Sequence, residues 1–141
     1  MKIKKLNIHE QGLNQFFGPL EAKIMDILWQ KEQSTIRDVQ TILNKEESLS
    51  FNTVMTVMNR LLEKGILQKR TEKGGRGRTT LFKPVQTKEQ FLSEQTKEIT
   101  QGLIRNFGDL VVGHMIDTLD EADPKLISKL QEKLKQMDNG S

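Results

Sequence analysis

Asn52, Thr53, Thr56 and Arg60 recur at spacings that place them on one side of a helix, with Ser50 at its start. Amides, hydroxyls and a guanidinium arranged in this way can read the donor and acceptor pattern of base edges in a DNA major groove. Stepping 100° per residue from Val54, the apolar Phe51, Val54, Val57, Met58, Leu61 and Leu62 fall within about 80° of it. The four polar residues fall on the other side, so the helix has a packed back and a hydrogen-bonding front. Solvated helix faces are normally rich in Lys and Glu, whereas Asn and Thr are mediocre helix formers. Their use here points to contact with a partner.

Basic residues follow at once. Lys69, Arg70, Lys73, Arg76, Arg78 and Lys83 lie between residues 66 and 83 with one acid, Glu72. The stretch EKGGRGRTT, residues 72–80, could in principle cradle a nucleotide phosphate. A phosphate loop, however, needs GxxxxGK[ST] opening a helix, and here a strand-like TTLF follows. The alternative is a basic wing that lays Arg76 and Arg78 on a nucleic-acid backbone or in its minor groove, with Ser50, Lys69, Arg70 and Lys73 as further backbone contacts.

Catalytic constellations are missing. There is no HExxH, no paired-carboxylate site and no Ser/His/Asp order. With no cysteine in the chain, disulfides, thiolate metal sites and thiol catalysis are excluded together. His9 falls in an N-terminal extension, and His114 sits in an apolar helical pattern that reads as core or interface. No enzyme activity, metal or cofactor is expected.

The elements that must position these groups follow from periodicity and caps. Gly18-Pro19 opens a first helix through Leu20, Ile24, Ile27 and Leu28. Ser34 or Thr35 caps a second, with Ile36, Val39, Ile42 and Leu43 as its stripe. Ser50 opens the third, over residues 51–64, and Gly65 ends it. Residues 66–71 and 79–83 read as two short strands. Three helices and a basic hairpin give a mainly α fold with a small β-hairpin, in the order of a winged helix-turn-helix. From Thr87 onward the pattern is helical, with a break near Gly108 and a restart at Asp123-Pro124. The resulting division is a flexible extension over 1–17, a winged-helix DNA-binding domain over 18–84 and a helical dimerisation domain over 85–141. In the last, Phe107, Leu110, Val111, Met115, Ile116, Leu119, Leu126, Ile127, Leu130 and Leu134 form stripes that so short an arm cannot bury alone. A twofold copy would cover them.

Charge divides the same way. Residues 1–84 carry 15 Lys/Arg against 9 Asp/Glu, net +6, and residues 85–141 carry 7 against 10, net −3. A basic first part suits a polyanion. The hydrophobic content is 35%, no apolar run approaches a membrane span, and MKIKKLNIHEQ lacks the apolar core of a signal peptide; a cytoplasmic protein is expected.

GPLEAKIMDILW (residues 18–29), SFNTVMTVMNRLLEKGIL (50–67) and FKP (82–84) resemble the penicillinase-repressor family, the BlaI/MecI/CopY group of bacterial regulators. The resemblance implies a homodimeric repressor of dyad-symmetric operators, whose recognition helix falls on residues 50–64. Three departures stand out. Copper-responsive members carry a cysteine cluster, absent here. Members responding to β-lactams are cut in the arm at an Asn-Phe bond by a membrane metalloprotease, which the resemblance makes a candidate partner. Asn106-Phe107 is such a bond, yet matching the apolar stretch 110–112 puts the corresponding bond at Gly113-His114. Finally, the family's wing has a shorter turn with tyrosines. The competing reading from a different class is a winged-helix interaction module whose basic face meets an acidic protein.

Overall fold

Polar caps fix where the helices begin. The structure, a computed structural model, describes Leu6, Glu10, residues 12–75 and residues 77–140, with Asp120 by its backbone alone. After a 3-10 turn at Gly12–Gln15 come α1 (Pro19–Lys31), α2 (Ile36–Leu43) and α3 (Phe51–Glu63). Two strands, β1 (Leu67–Gly74) and β2 (Gly77–Pro84), precede α4 (Lys88–Thr118), a second 3-10 turn and α5 (Pro124–Asn139). Thr35, rather than Ser34, caps α2 by accepting the Asp38 N–H at 3.1 Å. Ser50 caps α3 through the Thr53 N–H at 3.1 Å, and Asp123 caps α5 through the Lys125 N–H at 2.9 Å. Thr87 and Gln90 exchange side-chain bonds to each other's backbone at the start of α4, a capping box.

Gly65 ends α3 with φ +76°. Its N–H bonds Leu62 O, and the Ile66 N–H reaches back to Leu61 O, both at 3.0 Å. This paired closure needs the left-handed backbone that glycine supplies most readily. It turns the chain directly into β1.

The chain divides into two compact units, Met1–Phe91 and Leu92–Ser141. In the first, Ile24, Met25, Leu28, Val39, Val54, Met58 and Leu61 form a fully buried centre from the apolar stripes of α1, α2 and α3. Leu67 and Phe82 of the hairpin close it from the side. An aromatic cluster adds to this core. Phe91 stacks on Phe17 with centroids 5.1 Å apart, meets Phe16 edge-on at 6.1 Å and lies 5.7 Å from Trp29. Phe16 and Phe17, which the sequence places in an N-terminal extension, are therefore buried residues of the first unit.

β1 and β2 pair antiparallel from Leu67↔Pro84 out to Gly74↔Gly77. The strands are longer than the expected 66–71 and 79–83, because Thr71, Glu72 and Lys73 pair with Thr80, Thr79 and Arg78. Most of the glycine-rich stretch is thus ladder rather than loop, and Gly75, with φ +55°, opens a short connection. Ser34 adds one antiparallel bridge on the outer edge of β2, exchanging backbone bonds with Phe82 at 3.0 and 2.8 Å. Two residues earlier Glu32 has φ +71°, uncommon for a residue with a side chain. It lets the chain leave α1 and turn back to meet β2.

Glu21 ties the ends of two helices together. One carboxylate oxygen accepts the Gly18 N–H at 3.1 Å, and the other takes the Lys64 ammonium at 3.0 Å. Lys64 is half-exposed, so most of the value lies in capping α1. Glu21→Ala is expected to cost about 1–2 kcal/mol, read as a lower urea midpoint at unchanged slope. A shift no larger than that of the exposed Glu32→Ala would refute it.

In the second unit α4 has a non-helical residue at Phe107, φ −136° and ψ 33°, where a break near Gly108 is expected from the sequence. Among the described residues from Leu92 onward, no apolar side chain is buried. His114 is exposed, which rules out the core placement of the two its apolar neighbours suggest, core or interface. His9 lies outside the described residues. No described helix is long and apolar enough to cross a membrane. No group of three or more His, Asp or Glu is placed to hold a metal among the described residues.

Candidate nucleic-acid interface

The packing of α3 decides which side chains are free. Val54, Val57, Met58 and Leu61 are held in the core, so the opposite face must point outward, and Asn52, Thr53, Thr56 and Arg60 are all exposed. Together with Val57 these four line a shallow hollow of about 340 Å³ on the outer surface of α3. Two side-chain amides fix the turn that presents this helix. Gln40 Nε2 donates to Leu49 O at 3.1 Å, and Asn44 Oδ1 accepts the Leu49 N–H at 2.9 Å.

The hairpin sorts the basic residues onto two faces. Alternation along a strand puts Lys69, Lys73 and their cross-strand partners Phe82 and Arg78 on one face. Since Phe82 is buried, this is the face turned toward the helices. Arg78 and Thr80 accordingly line a hollow of about 500 Å³ with Thr35, Ile36, Arg37, Asp38 and Phe51, which the intervening Thr79 also borders and which joins the hairpin to the starts of α2 and α3. Arg70 lies on the other face. Its guanidinium pairs with Glu72 at 2.6 Å and donates to Gln33 Oε1 at 3.3 Å. Position 76 lies outside the described residues.

Arg37 joins this surface, although it belongs to neither the polar face of α3 nor the basic hairpin. Its guanidinium carbon stands 5.3 Å from the centroid of the Phe51 ring, beside the α3 cap. A signal was nevertheless present. Arg37 is two residues past the cap of α2, where the positive end of the helix dipole disfavours a cation. Lys73 directly opposite Arg78 breaks a second local rule, since like charges across a ladder repel.

Some cations of the first unit are matched with carboxylates. Lys23 meets Glu46 and Glu47, Lys64 meets Glu21, and Lys88 meets Asp26. Arg60 on the outer face of α3, Arg37 and Arg78 in the hollow beside it, and Lys73 opposite Arg78 pair with no carboxylate among the described residues, and neither do Lys31, Lys45 and Lys83 elsewhere on the unit. Lys69 is likewise unpaired.

Three helices, the second and third joined by a turn that Gln40 and Asn44 hold, with a hairpin and a single bridge beside them, define a winged helix-turn-helix protein. Residues 17–136 match the family model described as Penicillinase repressor. The chain belongs to the penicillinase repressor family. Two curated relatives, both "Transcriptional regulator BlaI" from Mycobacterium tuberculosis (strains CDC 1551 / Oshkosh and ATCC 25618 / H37Rv), are 32% identical over 108 residues. The match covers 75% of this chain and 61% of each relative, so the chain spans about three fifths of their length. Among solved structures, a PadR family transcription regulator from Clostridium difficile R20291 is 17% identical, over 64% of this chain and 98% of that one, with TM-score 0.47. Bacillus subtilis PadR in complex with operator DNA is 16% identical, over 85% and 77%, with TM-score 0.46. Likeness at that level carries no functional weight.

Proposed function

We propose that this chain is a homodimeric, sequence-specific DNA-binding transcriptional repressor. In this reading α3 enters the major groove of each half of a dyad-symmetric operator, and the hairpin serves as a wing along the backbone or minor groove. The observation that carries it is the grouping at α3 of cations without a carboxylate partner among the described residues: Arg60 shares a hollow with Asn52, Thr53 and Thr56, Arg37 and Arg78 share the hollow at Phe51, and Lys73 stands opposite Arg78. Three of these cations sit where local electrostatics disfavour them, Arg37 at the start of α2 and the facing Lys73 and Arg78. A polyanion on this surface would remove both penalties, and family membership points the same way.

Asn52, Thr53, Thr56 and Arg60 then read bases, while Ser50, Lys69, Lys73, Arg78 and Arg37 position the backbone. Arg70 is reassigned. Held by Glu72 and Gln33 on the opposite face, it braces the wing against the turn after α1 instead of meeting phosphate.

Dimerisation is supported by the exposed apolar side chains of the second unit. Phe107, Leu110, Met115, Ile116, Leu126, Leu130 and Leu134 are exposed, and Val111, Leu119 and Ile127 are half-buried. On α5, Ile127, Leu130, Leu134 and Met137 recur at the 3-4-3 spacing of a coiled-coil seam. A twofold copy brings two recognition helices to one site, and weakening that contact lowers operator affinity, so the arm is where a releasing signal acts. For release by a membrane protease, the non-helical Phe107 favours the Asn106–Phe107 bond over Gly113–His114, which lies in regular helix.

Salt-titrated binding tests this reading. One dyad sequence should be preferred over random duplex by at least about 10³, with a steep salt slope. Asn52→Ala is expected to cost specific binding about 1–3 kcal/mol while leaving nonspecific binding nearly intact. Equal affinity for all duplexes, together with capture of an acidic polypeptide by the same cations, would instead favour a protein-interaction module.

A further inference from the structure

We infer that Thr56 recognises a thymine through its own methyl group, in the shallow hollow on α3, and not through its hydroxyl. This rests on the assignment of α3 as the base-reading helix. The hydroxyl of Thr56 is already used, since Oγ1 donates to Asn52 O one turn back at 2.8 Å. That of Thr53 is engaged as well, 2.9 Å from Ser50 Oγ, whose oxygen also accepts the Thr53 N–H. The polar capacity of both threonines is thus largely spent within the helix.

What they add to the hollow over α3 is their methyl groups. Val57, only 8% exposed, supplies further apolar surface to it. Asn52 and Arg60 line the same hollow. The arrangement is an apolar spot framed by one amide and one guanidinium. In a major groove only thymine offers a methyl group, and the frame suits the hydrogen-bonding edges of purines beside it. The lone pairs left on Thr56 Oγ1 could still accept from a cytosine or adenine amino group, and the substitutions below separate that use from methyl contact.

The test uses the full chain and duplexes enriched by it from a random pool, with each thymine replaced in turn by uracil. The exchange removes one methyl group and nothing else. Uracil at one thymine per half-site is expected to weaken binding about three- to tenfold per half-site. Thr56→Val should bind within about twofold of the parent and keep that penalty, because it retains a methyl and discards the hydroxyl. Thr56→Ser should lose a similar factor and become indifferent to uracil. Full affinity for Thr56→Ser with a loss for Thr56→Val would overturn the inference, as would an enriched site that tolerates uracil everywhere. That last measurement needs no variant, so a folding defect cannot obscure it. If no duplex is enriched at all, the base-reading assignment of α3 fails and this inference with it.

Discussion

Ending the chain after Phe91 is expected to leave a folded monomer, whereas ending it after Pro84 should leave an unstable one. The seven intervening residues carry Phe91, whose ring is buried against Phe17, Phe16 and Trp29. They also carry Lys88, 3.0 Å from Asp26, and Gln86, whose carbonyl accepts the Trp29 indole N–H at 2.9 Å. Losing a buried phenylalanine alone costs about 3–5 kcal/mol, a large part of the 5–15 kcal/mol that holds a typical domain. The ion pair is half-exposed and contributes little by comparison. Trp29 is the one tryptophan in a chain without tyrosine, so its emission follows this cluster directly. Urea titration should give the 1–91 fragment a cooperative transition and the 1–84 fragment a midpoint far lower. Comparable midpoints would show that the cluster is not part of the folding unit.

The same 1–91 fragment tests the arm. It should sediment as a monomer and bind a full operator more weakly than the whole chain by about 10²–10⁴, the factor lost when the second half-site is no longer tethered. A stable dimer of residues 1–91 would place the twofold contact outside the arm.

The contrast between residues 84 and 91 illustrates what was legible in the sequence. α3 was readable almost to the residue, because everything that defines it is local: the Ser50 cap, the apolar period from Phe51 to Leu62 and the closing Gly65. The outward placement of Asn52, Thr53, Thr56 and Arg60 followed from the same period. The aromatic cluster was not readable, since it is assembled from positions 16, 17, 29 and 91 and no local pattern joins them. The wing was readable in kind but not in extent. Glycine at 74 and 77 interrupts a strand pattern, which is why the expected strands stop at 71 and 79, yet glycine is compatible with a ladder when its neighbours pair, and Thr71–Lys73 pair fully with Arg78–Thr80. Arg37 was hidden for a third reason, because its place depends on how α2 meets α3. It could have been found only as a cation on the wrong end of a helix.

Pairing along the wing also makes its residues unequal, and the second large effect follows. Lys73→Ala with Arg78→Ala is expected to weaken binding to every duplex and to lower the slope of log affinity against log salt by about 1.8 per wing, the value for two phosphate contacts. Arg70→Ala should leave the slope unchanged, since its charge is already neutralised by Glu72 and lies on the opposite face. Stability gives an independent signature. Lys73 and Arg78 stand directly opposite one another, so removing both relieves repulsion, and the free protein should unfold at an equal or higher temperature. Arg70→Ala should do the reverse, lowering stability slightly by releasing Glu72 and Gln33 while sparing DNA affinity. Affinity and stability therefore move in opposite directions for the two changes, which a general weakening of the wing would not produce. If Arg70→Ala flattened the salt slope as much as the double substitution, the assignment of the two faces would be wrong. If the double substitution altered only base preference, the wing would be reading sequence and not holding the backbone.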